Sequence, residues 1–185
     1  MNDLLKFKAW RNQMGTFDRL SFNGKGGISG AIKLFSGENR SHEAAIGRDF
    51  RDKNRIGIYE ADPEVMLIGI ERKLREYDGE VYWHRLKKEY QKYRHEIEQK
   101  MWEYTGSGYD WLGVFLQPFK RVIADPKNQW CSEMLLLAGV YFRAPAPSPL
   151  PIPKRFVTDK FELIGPRPGS EMDALGWWDE GIKII

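Results

Sequence analysis

The chain has 185 residues, 42% of them hydrophobic and 14% aromatic, a composition that suits one folded domain and excludes wholesale disorder. Its 29 basic and 26 acidic residues leave a formal charge of +3, too mild and too well mixed to demand a nucleic-acid partner. One cysteine excludes an intrachain disulfide and a multi-cysteine zinc site, and no two of the three histidines (His42, His84, His95) stand four residues apart as a metalloprotease helix requires.

Residues 3 to 13 read as a short amphipathic helix, and "TFDRLSFN" (16–23) alternates as a strand. The glycine-rich "GKGGISG" leads into a short helix around 28–36 that closes at Gly37; it is no P-loop, because the Gly-Lys-Ser/Thr ending is missing. "SHEAAIG" (41–47) and "RIGIYEA" (55–61), on either side of the charged turn "RDFRDKN", read as a hairpin. "EVMLIGI" (64–70) and "EVYWHRL" (80–86) are two further strands. Tyr90, Tyr93, Ile97, Met101 and Tyr104 then recur every three or four residues, the stripe of one amphipathic helix over 87–104 that "TGSG" ends. An apolar helix ("YDWLGVFLQPFKRVI"), a loop with Asp125-Pro126 and a helix from Cys131 to about 142 follow. Proline at 145, 147, 149, 151 and 153 predicts an extended crossing, and the remainder from "KRFVTDKFELIG" onward holds one strand. The tail "GWWDEGIKII" carries apolar residues that need a surface to cover.

Cys131 stands where its helix begins, and the free N–H groups and dipole of a helix N-terminus favour a thiolate there. The alternative is a small core hydrophobe, the commoner fate of a free cysteine. A nucleophile needs a base. His95 lies on a charged helix face and His84 between Trp83 and Arg85, a setting for packing or surface. His42 heads an apolar strand face with Ala44 and Ile46, and on the next strand Glu60 shares a face with Ile56 and Ile58. If the two strands pair antiparallel, Glu60 holds the His42 ring; otherwise it reaches solvent from an edge.

The order "GKGGISGAIKLFSG…SHEAAIG…IYEA…YDW…WCSEMLLLAG" resembles the circularly permuted branch of the NlpC-like, papain-fold cysteine hydrolases, with YiiX-type proteins as the nearest relatives. The match covers roughly residues 16–142 and rests on joint order and spacing. It departs where relatives show a Gly-Asp pair in the first strand, since here Asp18 is displaced, and where Glu43 and Arg48 interrupt a strand that is usually more apolar. The resemblance implies an α+β fold with an antiparallel sheet packed against helices, one of them bearing the nucleophile. It implies Cys131 as nucleophile, His42 as base and Glu60 as the residue that orients the ring. Ser41, Ser132 and Tyr109 become candidates for the oxyanion or substrate pocket, Tyr109 having the alternative of capping a core helix. The expected organisation is one domain, with a catalytic core at about 16–142, the proline-rich crossing at 144–153, and a segment 154–185 packed back on it.

The expected chemistry is cleavage of an amide through a thioester, which needs no metal or organic cofactor; esterase or acyltransferase action would use the same equipment. The resemblance suggests a peptide, a peptidoglycan fragment or a lipid-linked amide as substrate. The thiol should lie within about 4 Å of an imidazole nitrogen, beside a cleft open to solvent. The N-terminal stretch lacks the apolar region of a secretory signal and no run reaches the roughly 20 residues of a membrane span, so a cytoplasmic or phage-encoded protein is expected. Two rival readings are a nucleic-acid-binding module, through "RLKKEYQKYRHEIEQK", and a catalytically inactive structural phage protein on the same fold. Glutamates at 89, 96 and 98 dilute the first, and the presence of all three candidate catalytic residues weighs against the second.

Overall fold

Strands whose apolar residues alternate can bury both faces only between two layers, and that is the architecture here. The computed structural model describes residues 4–26, 29–30, 33–34, 38–48, 55–61, 63–108, 131–140, 150–157 and 166–185. Its strands are β1 (Arg19–Gly24), β2 (His42–Arg48), β3 (Ile56–Ala61), β4 (Val65–Gly69), β5 (Gly79–His84) and β6 (Ile182–Lys183). They form one antiparallel sheet in the order β4-β3-β2-β1-β5-β6. The β2–β3 hairpin pairs Ile46 with Ile58 and Ala45 with Tyr59, so the two faces sort cleanly by the period of two.

On one face Leu20, Phe22, Ala44, Ile46, Ile58, Val81 and Trp83 pack with Phe7 of α1 (Leu5–Trp10) and with Ile70 and Leu74 of α2 (Ile70–Glu76). On the other, Ala45, Tyr59, Ala61 and Val65 meet α3 (Arg94–Glu103), α4 (Cys131–Val140) and the two C-terminal tryptophans. All ten residues of α4 are buried, which its apolar sequence permits, and a helix with no polar side belongs inside.

Two expectations change. The strand read over 64–70 ends at Gly69, and Ile70 opens α2, whose i, i+4 pair Ile70/Leu74 faces the sheet. The single helix read over 87–104 begins as a 3-10 helix, Lys88–Tyr93, before α3 takes over; Tyr90 and Tyr93, three apart, suit three residues per turn. The strand expected from "KRFVTDKFELIG" onward is found in "GIKII" as β6, and Lys154–Phe156 forms a 3-10 turn. The expected helix over 109–123, the loop at 125–126, the turn at 49–54 and the proline alternation up to 149 lie outside the described residues.

The C-terminal segment is tied down at its indoles. Trp177 and Trp178 are buried, and their N–H groups donate to Pro151 O (2.7 Å) and Phe17 O (2.8 Å). Phe17 itself has φ +62, a left-handed conformation that costs a bulky residue on the order of 1–2 kcal/mol. Its backbone is held on both sides, because its N–H donates to Ile46 O at 2.8 Å and its carbonyl accepts from Trp178, and its ring packs at a tilt against both tryptophans. The next residue, Asp18, accepts from Gly15 N, Trp83 Nε1, Leu86 N and Arg94 Nη2, which gathers four donors onto one buried carboxylate.

Candidate active site

His42 is the first residue of β2, and Glu60 stands on β3 almost across from it. The register that pairs Ala45 with Tyr59 sets Glu60 opposite Ala44, one diagonal step from His42 on the same face. His42 Nε2 donates to Glu60 Oε2 at 3.0 Å. A third group joins them from α2. Lys73 Nζ lies 2.9 Å from Glu60 Oε1 and 2.8 Å from Oε2, so it spans the carboxylate. Burial by itself would raise the Glu60 carboxyl, but the hydrogen bond and charge of His42, followed by those of Lys73, outweigh it and bring the pKa down to about 2.

Cys131 is the first residue of α4, and its side chain completes the line by lying beside the His42 ring, near enough to act on its protonation. The helix packs against the opposite face of β2 from the one His42 occupies by alternation. Thiol and ring therefore meet where the strand begins, at the rim of the sheet. Burial is the largest influence on His42 and would lower its pKa. The negative charge and hydrogen bond of Cys131, then those of Glu60, overcome it and push the imidazole up to about 10. With Nε2 committed to Glu60, Nδ1 is the nitrogen left for the thiol. The ring thus lies between a thiol and a carboxylate, with Glu60 as its carboxylate partner at 3.0 Å.

Cys131 is 2% exposed, and the exposure of the line among the described residues lies with His42 and Lys73, at 16% and 22% of their side chains. Ser41 is buried, with its hydroxyl donating to Phe22 O (3.3 Å) and accepting from Gly24 N (3.4 Å). Ser132 is also buried and its hydroxyl donates to Pro166 O. Tyr109 lies outside the described residues. Lys73 is the participant that sequence reading missed. The signal was the Ile70/Leu74 spacing, which defines a helix and puts Lys73 on its flank, beside the buried stripe.

A second ionic cluster lies on the other face of β2 and β1. Arg19, Ser21 and Glu43 are buried there, with His84 of β5 beside them. Ser21 Oγ is 2.8 Å from His84 Nε2, and Arg19 Nη2 is 3.1 Å from His84 Nδ1 and also bonds Asp173. Glu43 Oε1 accepts from Gly169 N at 3.0 Å, while its Oε2 sits 3.7 Å from Arg19 Nε with no hydrogen-bond partner among the described residues. Burial, then the charge of Arg19, presses His84 down to about 3. Burial lifts Glu43 to about 7 against the pull of Arg19. A pocket of about 420 Å³ opens beside this cluster, lined by Arg40, Tyr82, His84, Asp173 and Trp178 among others. His95 is exposed and bonds Gln99, as its place on a charged helix face implies.

Among the described residues no group of three or more His, Cys, Asp or Glu side chains is arranged to hold a metal ion, and no helix is long and apolar enough to cross a membrane. No family model matches the chain, and no curated protein matches it. Solved structures do. The crystal structure of the metalloprotein yiiX from Escherichia coli O157:H7 aligns with a TM-score of 0.59 at 15% identity, over 94% of this chain and 97% of that one. The fold is YiiX-like. At that identity the likeness concerns the path of the backbone, a mixed α and β arrangement around the six-stranded antiparallel sheet. The word metalloprotein describes that neighbour.

Proposed function

We propose that this protein is a cysteine hydrolase on a permuted papain-like form of the YiiX-like fold, cleaving an amide through a thioester. The observation that carries the reading is His42, bonded through Nε2 to Glu60 at 3.0 Å and facing Cys131 on its other side, with its pKa lifted to about 10. The Cys131 sulfur attacks the acyl carbonyl. The tetrahedral oxygen is received by free N–H groups of the first turn of α4, which have no helical acceptor. His42 gives its proton to the leaving amine, leaving an acyl group on sulfur. A water then loses a proton to His42 as it attacks the thioester, and the acid departs. A peptide or a lipid-linked amide fits this chemistry, and an acceptor other than water would turn the same intermediate to acyl transfer.

Labelling by iodoacetamide tests the reading on the folded protein. Cys131 should be alkylated well below pH 8.5, about where a free thiol ionises, and His42→Ala should move the rate profile to higher pH. A thiol that reacts only after denaturation, or one indifferent to His42, makes Cys131 a core residue.

A further inference from the structure

We propose that Lys73 is a positioning residue of this site, keeping the Glu60 carboxylate ionised and turned toward His42 through the half of the cycle in which the imidazole is neutral. The inference rests on the reading of Cys131 and His42 as a reacting pair.

The geometry comes first. Lys73 Nζ contacts both carboxylate oxygens, at 2.9 and 2.8 Å, while His42 shares only Oε2, at 3.0 Å. Oε1 thus depends on Lys73 for its donor among the described residues. The Glu60 side chain is 5% exposed and that of Lys73 22%, so the pair is not the solvent-screened kind that contributes little. Two cations on one buried carboxylate repel each other. The His42 bond alone would neutralise Glu60, so pairing does not explain the second cation.

The reaction does explain it. Each time His42 hands its proton to a leaving group, Glu60 loses its imidazolium partner while remaining buried. A lone buried carboxylate takes up a proton readily. A proton taken up from solvent would weaken the hold of Glu60 on Nε2–H and leave the ring free to turn. The lysine ammonium gives up no proton in the cycle, so the carboxylate stays anionic and Nε2–H stays pointed at Oε2. Glu60 faces His42 from β2 and Lys73 from α2, and its partner across β4 is the uncharged Met66. Lys73 is therefore the one constant charge on Glu60 among the described residues.

The test compares wild type, Lys73→Met, Lys73→Gln and Lys73→Arg in iodoacetamide alkylation of Cys131 from pH 4 to 9, with thermal midpoints measured alongside. Loss of the ammonium lets Glu60 protonate at higher pH. The imidazolium then loses its anchor, and the thiolate is lost earlier on the acid side. The acid limb should move up by about one pH unit in the Met and Gln variants, roughly a tenfold rate loss on that limb, and return in Lys73→Arg. A fall in thermal midpoint with the pH profile unmoved would make Lys73 an ordinary ion pair and overturn the proposal. A wild-type thiol that is inert, or a His42→Ala profile identical to wild type, sinks the underlying reading instead.

Discussion

Two histidines on one sheet are driven in opposite directions by their neighbours. His42 and His84 are both largely buried, and burial presses each toward the neutral form. His42 meets a thiol and a carboxylate and is lifted to about 10, whereas His84 meets the Arg19 guanidinium and falls to about 3. The same desolvation is thus reversed in one site and reinforced in the other. What decides is the sign of the charge within hydrogen-bond reach. The clusters also differ in completeness. Both oxygens of Glu60 are engaged, while Glu43 Oε2 and two Arg19 nitrogens have no hydrogen-bond partner among the described residues. Reaction chemistry fits the first cluster, and fastening of the C-terminal segment fits the second.

The sharpest way to break the contrast is to disable each cluster in turn. Glu60→Gln keeps the size of the side chain but weakens its hold on the imidazolium. Turnover of any amide or ester accepted by the wild type should drop on the order of 10²- to 10⁴-fold, with the thermal midpoint little changed. Arg19→Met should act the other way, on stability. Removing one partner of a buried ionic cluster typically costs about 3–5 kcal/mol, and here the low end applies because Glu43, already lifted to about 7, can take up a proton. Urea denaturation measures it, and adding Glu43→Gln should recover part of the loss. A drop in Cys131 reactivity in Arg19→Met equal to that in Glu60→Gln would show that the two clusters are one.

A smaller effect tests the C-terminal attachment. A Cβ at Gly139 of α4 would come within 2.6 Å of the Trp177 ring, so Gly139→Ala should destabilise by about 1–3 kcal/mol through overpacking. An unchanged denaturation midpoint would mean that the tryptophan gives way freely. The smallest effect is a slope. In the unfolded chain His84 takes up a proton near 6.5, which the fold refuses until about pH 3, so its contribution is complete above 6.5 and is lost as pH falls toward 3. Glu43 works oppositely. It holds a proton in the fold up to about 7 and in the unfolded chain only to about 4.5, so its contribution is complete below 4.5 and is lost as pH rises through 7. His84→Gln should therefore flatten the acid side by up to about 1.4 kcal/mol per pH unit, and Glu43→Gln the side toward neutrality. Identical slopes in both variants and the wild type would remove the Arg19 cluster from the contrast.

The hairpin and its chemistry were legible because both are local. The alternation in "SHEAAIG" and "RIGIYEA" fixes which residues share a face, and a short turn between them makes antiparallel pairing the natural outcome, which brings His42 and Glu60 together. Lys73 was hidden by the apolar run "EVMLIGI", which reads as strand to its end although Ile70 already belongs to α2. The setting of His84 was hidden for another reason. Its decisive neighbour, Arg19, is 65 residues away, and nothing in "VYWHRL" announces a guanidinium. The burial of Cys131 was foreseeable in part, since "MLLLAGV" leaves α4 no polar side to turn toward water.

Titration of the imidazole signals by NMR tests the contrast most directly. His42 should keep both ring protons through pH 8 and titrate near 10, moving down in Cys131→Ala, while His84 should stay neutral down to about pH 3. A His42 that titrates at or below 6.5, the ordinary imidazole value, and does so equally with and without the thiol, would contradict the charged Cys131–His42 pair on which the proposed chemistry stands.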